Sequence, residues 1–381
     1  MRILIFNWQD IKNPLSGGAE VHLHEIFSRV AAMGHEVTLF CSSFPDAVAE
    51  ENVSGIRVIR EGRRHFFNFL VPFRYYTRFR HDRYDVVIDD MNKIPFFTPL
   101  FVREPLAIVI HHLFDKSIFQ EATLPIALYV YWVEKLAVAL LRRRRTPLFV
   151  VSPSTRDEMM THGIHSENIS IVPNCVDHVL YHPAENSRST LPLIGYFGRI
   201  KKYKSVDHLL RAFVPVVQKM PKVKLVVIGD GDYRPELERL TRELGIVDAV
   251  RFTGYVDEQE KVRLLREVWF LVNTSAKEGW GLTVIESNAC KTAVIASNVP
   301  GLRDAVKNGE TGVLYGYGNI NEMSEKILML LNDLPLRKRL EEQAYTWSQE
   351  FDWQIVAKNT IQLLEEQIAR HRKGLPTEAI N

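Results

Sequence analysis

At 381 residues the chain is long for one core and natural for two domains. Its 46% hydrophobic and 25% charged residues are ordinary for a soluble globular protein. A formal net charge of +2 excludes a global field that would select nucleic acid.

Cys41, Cys175 and Cys290 are odd in number and scattered, which fits a reducing compartment and shows no metal-ligand spacing. The opening MRILIFNWQD runs straight into a strand, and its apolar run is too short for a signal peptide. A cytoplasmic protein is therefore expected.

Residues 2–7 are a continuous apolar run, as expected for a strand covered on both faces. A loop with Gly17 and Gly18 leads to a helix over 19–33, ended by Gly34, and to a strand over 36–41. This is a βαβ opening. Residues 60–84 carry Arg60, Arg63, Arg64, Arg74, Arg78, Arg80 and Arg83 interleaved with aromatic residues. Such a run suits an anionic bilayer surface. It also suits single-stranded nucleic acid, or a helix with an aromatic core face and a solvated arginine face.

The strand 84–90 ends in Asp89 and Asp90, which on an extended chain point to opposite sides and so cannot jointly hold a metal. The strand 106–110 is followed by His111 and His112. In doubly wound sheets the carboxyl ends of strands face the ligand crevice. Residues 124–141 are almost wholly apolar and are followed by four arginines. Glu134 and Lys135 in mid-run argue for a buried or membrane-lying helix rather than a spanning one.

After strands over 148–151 and 169–172 comes PNCVD, and then a polar, proline-containing linker over 181–191. A second doubly wound domain opens with LIGYFG, ending at Gly198, followed by Arg199 and Lys204. Two cations at the mouth of a strand–helix turn are suited to a diphosphate. The next strands, 223–228 and 250–254, are followed by Gly229-Asp230-Gly231 and by Tyr255-Val256.

The stretch 273–296, NTSAKEGWGLTVIESNACKTAVIA, is a strand–loop–helix–strand unit. Glu278, Gly279, Trp280 and Gly281 make a glycine-rich turn before a helix that starts near Leu282 and carries Glu286. The first N–H groups of a helix lack partners and its dipole is positive there, so a diphosphate would fit over Gly281, Leu282 and Thr283. Glu278 and Glu286 cannot act as one carboxylate pair; they are placed to grip two parts of one long ligand. Three helical patterns finish the chain, 320–331, 334–349 and 353–370, and the tail 373–381 is expected to be loose.

Taken together, GGAE at 17–20, a strand-end histidine, PN-x-VD, GR-x4-K, GDG and E-x7-E resemble, in order, the retaining glycosyltransferases of family 4 (glycosyl transferases group 1). The resemblance implies the α/β GT-B fold, two facing doubly wound Rossmann-like domains with a cleft between them. The N-terminal, acceptor-side domain is expected over 1–180 and the nucleotide-sugar domain over 181–352, with a helix over 353–375 crossing back. It implies transfer of a hexose-type sugar from a UDP- or GDP-linked donor to a hydroxyl of a glycan or lipid-linked acceptor.

His111, Arg199, Lys204 and Glu278 are then the catalytic candidates. Gly17, Gly18, Gly198, Gly229, Asp230, Gly231, Tyr255, Val256, Gly279, Trp280, Gly281, Leu282, Thr283 and Glu286 would hold the donor. No metal or other cofactor is expected, and no nucleic-acid partner. An anionic surface on the inner membrane face is a further candidate partner. Four family positions differ here: Cys175, Ser205 and Lys291 stand where glycine is usual, and Ala293 replaces a proline. An epimerase or phosphorylase on the same architecture, or a membrane-binding module without catalysis, are the alternatives.

Overall fold

The computed structural model describes residues 1–92 and 94–373; the tail expected to be loose lies outside the described residues from 374 onward. The chain divides into two compact units: Met1–Asn174 together with the segment from Trp353, and Cys175–Asp352.

The first unit holds eight strands among the described residues: β1 (Arg2–Phe6), β2 (Glu36–Cys41), β3 (Glu50–Val53), β4 (Ile56–Arg60), β5 (Val86–Asp90), β6 (Leu106–Ile110), β7 (Leu148–Val150) and β8 (Ile169–Ile171). Their order is β3-β4-β2-β1-β5-β6-β7-β8. All neighbours are parallel except β3 and β4. The β3–β4 hairpin is absent from the sequence reading. Its turn has Ser54 at φ 52° and Gly55 at φ 88°, the two positive angles of a tight hairpin turn.

The apolar run of β1 is fully buried at Ile3, Leu4, Ile5 and Phe6. Phe40 of β2 has its ring 5.1 Å from Phe67 and 5.0 Å from Phe79. So the aromatic run over 60–84 divides: Phe67, Tyr75 and Phe79 belong to the core, and Phe66, Phe69, Phe73 and Tyr76 are exposed. Its arginines divide too. Arg60 is buried in a 2.5 Å pair with Asp10, Arg74 pairs with Glu61, and Arg78 lies 3.5 Å from Glu50.

The helix Leu124–Arg144 is long and apolar enough to cross a membrane by length and composition. One face nevertheless belongs to the core, through Ala127, Val130, Ala137, Val138 and Leu141. Glu134 is buried and accepts the backbone N–H groups of Phe114 (2.7 Å) and Asp115 (2.9 Å). The C-terminal helix Trp353–Arg372 packs on the helix Gly18–Ala32.

The second unit holds β9 (Leu193–Phe197), β10 (Lys224–Ile228), β11 (Val250–Gly254), β12 (Phe270–Asn273), β13 (Val294–Ser297) and β14 (Gly312–Tyr315). The sheet is all parallel, in the order β11-β10-β9-β12-β13-β14. The strand order reverses between β9 and β12, which makes the carboxyl ends of these two strands a switch point where ligands bind in such sheets. Residues 175–180, assigned to the first domain in the sequence reading, are tied to the second unit. Val176 N–H donates to Phe351 O (3.3 Å), and the next residue, Tyr181, donates to Glu258 (2.5 Å).

Candidate active site

The loops leaving β9 and β12 meet at the switch point of the second unit. Ala276 N–H donates to Tyr203 O (2.9 Å), and Thr274 Oγ1 donates to Lys204 O (2.6 Å). These bonds bring Lys204 beside Glu278, and the two side chains form an ion pair. Ser275 Oγ also donates to Glu278 Oε1 (2.7 Å). Burial alone lowers the Lys204 ammonium, and the Glu278 carboxylate more than reverses this, so its pKa stands above the ordinary lysine value. Arg199, one residue past Gly198, keeps its side chain exposed.

The glycines of this site serve the backbone first. A Cβ on Gly229 (φ 130°) would strike the backbone carbonyl of Gly198, and one on Gly231 that of Ile200. Gly229 N–H donates to Gly254 O (3.1 Å), so the turns after β9, β10 and β11 are locked together. Asp230 spends its carboxylate on this loop, accepting Gly231 N–H (2.7 Å) and Arg234 Nη1 (3.3 Å). Tyr255 is exposed, and Val256 packs on Val226, Ile228, Leu264 and Val268.

Gly281 caps the helix Leu282–Ala289, with no side-chain cap. A Cβ there would sit 3.0 Å from that of Ala305 and 3.2 Å from Leu302, so this glycine answers to packing as well as to ligand approach. The N–H groups of Leu282 and Thr283, both half-buried, open the first turn. The Trp280 ring is buried, 5.1 Å from that of Phe351, so its indole is packed into the unit. Gly301, missed in the sequence reading, has φ 78°, and its Cα lies so close to the Glu278–Gly279 backbone that a Cβ would collide with it. It holds the glutamate loop in place.

Glu286 is buried, and Lys261 Nζ sits 2.9 Å from its Oε1. Burial raises its carboxyl above the ordinary range, and Lys261 opposes that rise. Lys261 was also missed. It lies in EQEKVRLLRE, a charged helix, Glu258–Glu267, that gives no sign of a buried lysine.

In the first unit, Gly17 caps the helix Gly18–Ala32, and its N–H donates to Glu20 (2.7 Å). Glu20 thus supplies one half of a capping box, since Gly17 has no side chain to return the bond, and Gly18 meets no close neighbour where a Cβ would stand. His111 follows β6 with its Nε2 3.0 Å from Asp90 Oδ1, and its ring is 5.1 Å from that of His22. Asp89 takes a different partner, Thr98 Oγ1, at 2.6 Å.

The family positions that depart from glycine are informative. Ser205 (φ 51°) and Lys291 (φ 60°) both adopt the left-handed conformation for which glycine is suited. Cys175 is not among the residues with positive φ, so no glycine is required there.

Residues 180–347 match the family model described as Glycosyl transferases group 1, and residues 16–180 match that of Glycosyltransferase Family 4. Glycogen synthase of Mycobacterium tuberculosis is 25% identical over 390 residues, covering 95% of this chain and 94% of that one. D-inositol 3-phosphate glycosyltransferase of Corynebacterium aurimucosum is 30% identical over 220 residues, covering 53% and 52%.

Among solved structures, sucrose-phosphate synthase from Thermosynechococcus elongatus superposes with a TM-score of 0.83 at 21% identity, covering 97% of this chain and 99% of that one. HepE of Anabaena, in complex with UDP and glucose, gives 0.77 at 19% identity, covering 96% and 100%. Two parallel doubly wound sheets, ordered glycine loops at the switch point of the second, and two family models that meet at residue 180 lead to one assignment. The chain belongs to the group 1 glycosyltransferases, family 4, and has the GT-B fold.

Proposed function

We propose that this glycosyltransferase moves a hexose-type sugar from a UDP- or GDP-linked donor to a hydroxyl of a glycan or lipid-linked acceptor, with retention at the anomeric carbon. The observation that carries the reading is the Lys204–Glu278 pair at the switch point, with a further carboxylate, the buried Glu286, on the adjoining helix. An ammonium and a helix N-terminus suit a diphosphate; two separated carboxylates suit sugar and ribose hydroxyls. HepE, a structural neighbour, holds UDP and glucose. The family match favours transfer over the epimerase and phosphorylase alternatives.

The chemistry then needs little from the protein beyond placement. The acceptor oxygen bonds to the anomeric carbon as the bond from that carbon to the diphosphate breaks, on the same face of the ring. The acceptor proton passes to the leaving phosphate oxygen. Arg199, Lys204 and the first turn of the helix Leu282–Ala289 stabilise the charge that develops there. Those cations take the electrostatic role of a divalent metal, so transfer proceeds without one. His111, held by Asp90 in the first unit, is the remaining catalytic candidate.

The test is a panel of nucleotide-sugars scored by thermal shift and slow hydrolysis, with the anomer of the first product read by NMR. An inverted product, or loss of activity with EDTA restored by Mg²⁺ or Mn²⁺, overturns the corresponding part.

The place of action is part of the same reading: the cytoplasmic face of the membrane. Its support is a surface of the first unit. The helix Leu124–Arg144 exposes Leu128, Trp132 and Leu136 in line, with exposed arginines at 142–145. The helix Phe67–Thr77 exposes Phe69, Phe73 and Tyr76, flanked by exposed Arg63, Arg64, Arg80 and Arg83. Rings and leucines ringed by arginine suit an anionic interface.

A further inference from the structure

We propose that Lys261 is a positioning residue for the donor: it keeps the buried Glu286 carboxylate ionised and aimed, so that Glu286 can accept hydrogen bonds from donor hydroxyls. The proposal rests on the donor-site reading of Glu286 given above.

Lys261 stands one turn into the helix Glu258–Glu267. Its Nζ is 2.9 Å from Glu286 and 3.3 Å from Glu258. The rings of Tyr181 and Phe197 hold it on two sides, at 5.0 and 4.8 Å from their centroids. The Lys261 and Glu286 side chains are each 8% exposed, whereas that of Glu258 is 63% exposed.

This arrangement is more than a packed ion pair. Removing two charges from water is costly, and an apolar pair of the same volume would stabilise the unit as well or better. Moreover, Lys261 already has a carboxylate partner in the more exposed Glu258. Adding Glu286 puts two carboxylates around one ammonium, only one of them buried, so the ammonium does not saturate the buried one. Such a site is an acceptor with capacity to spare, as a ligand's vicinal hydroxyls require.

The groups facing Glu286 fix the sign of its response. From the helix Glu258–Glu267 come Lys261, which favours the ionised form, and Glu258, which opposes it. Tyr181 favours it by hydrogen bonding, and Cys290, at the C-cap of the helix Leu282–Ala289, lies near Arg266 and Arg188. Without Lys261, burial and Glu258 together push the carboxyl further toward its protonated form, and a protonated Glu286 is a weaker acceptor.

Calorimetric affinity for UDP-glucose and for a GDP-hexose, whose phosphodiesters do not titrate near neutrality, is measured between pH 6 and 8.5. The proteins are wild type, Lys261→Met, Lys261→Arg and the double variant Lys261→Met/Glu286→Gln. Wild type should stay within about threefold across the range. Lys261→Met should lose about tenfold at the acid end and recover as pH rises. Lys261→Arg should stay nearly flat, and the double variant should be weak and pH-independent, which assigns the titration to Glu286.

A Lys261→Met loss of the same size at every pH marks a merely structural lysine and overturns the proposal. Where Lys261→Met does not fold, the wild-type profile decides, because an affinity that itself collapses below neutrality shows a Glu286 that Lys261 does not hold ionised. Wild type that binds neither nucleotide-sugar instead overturns the donor-site reading beneath the proposal.

Discussion

Lys204 and Glu278 form an ion pair across two loops, 74 residues apart in sequence, and each therefore occupies the other's binding capacity. Donor phosphate and Glu278 compete for the same ammonium. Glu278→Gln should leave nucleoside diphosphate binding equal or tighter, because Lys204 is released, and should cut sugar transfer. Lys204→Ala should lower both, with a loss of roughly 2–4 kcal/mol in transition-state stabilisation. Calorimetry with the free nucleotide, beside turnover, separates the two. Equal loss of nucleotide affinity in both variants would contradict the competition.

The left-handed Lys291 gives a stability prediction. A non-glycine residue in this conformation costs roughly 1–2 kcal/mol. Replacement by glycine relieves that strain, loses a surface ion pair with Glu342 (2.5 Å) and loosens the unfolded chain. The balance for Lys291→Gly is a gain of about 0–1 kcal/mol, read as an unchanged slope and a higher midpoint in urea. A destabilised variant would show that the Glu342 pair outweighs the backbone.

Why this strain was only half legible in the sequence is instructive. The departure from the family's glycine could be seen at Cys175, Ser205 and Lys291 alike, but only backbone angles separate the two strained positions from the relaxed one. The strands other than β3 and β4 followed from apolar runs, and the cations and glutamates from their places in the loops after those strands. What escaped depended on long-range contact. Arg60 looked like one more surface arginine until Asp10 met it at 2.5 Å. Lys261 sits in a charged helix, and nothing local marks it as the charged side chain turned inward with Val262, Leu264 and Leu265. Gly301 looked like an ordinary turn, although its need for glycine comes from the Glu278 loop lying against it. The hairpin at β3 and β4 escaped because β3, EENV, is four residues long and mostly polar, with no apolar run to mark it.

Two buried groups of the first unit give opposing pH dependences. Burial, aided by neighbouring His111, lowers the His22 pKa to about 3. Between about 3 and 6.5 the unfolded chain binds a proton there that the folded chain does not, so stability falls as pH falls. Burial raises the Asp89 carboxyl to about 7. Between its ordinary value and about 7 the folded chain holds the extra proton, so stability falls as pH rises. In the wild type the two slopes largely cancel between about pH 4 and 6.5. Asp89→Asn keeps an acceptor for Thr98 and removes one of them. Its stability should then drop by up to about 1.4 kcal/mol per pH unit through that window as acid is added. Urea midpoints at several pH values measure it, and parallel profiles for variant and wild type would refute the assignment.

The exposed face of the helix Leu124–Arg144 leads to the last prediction. Trp132 is 61% and Leu136 62% exposed, although both lie in a run apolar enough for a bilayer. The buried Glu134, bonded to two backbone N–H groups, fixes the helix to the unit's own core, so it can lie on a membrane but not cross one without tearing those bonds. Each exposed arginine near an anionic surface contributes about 1 kcal/mol, and the buried rings add to it. Arg60, Arg74 and Arg78 are discounted because carboxylates already hold them. Sedimentation with anionic liposomes should therefore show binding that weakens as salt rises and is absent with neutral lipid. Trp132→Ser with Leu136→Ser should reduce it at every salt concentration. Arg63→Ser with Arg64→Ser should reduce it mainly at low salt, where electrostatic attraction is least screened. Protein that stays in the supernatant with anionic liposomes at low salt would assign the face to another occupant and the acceptor to solution.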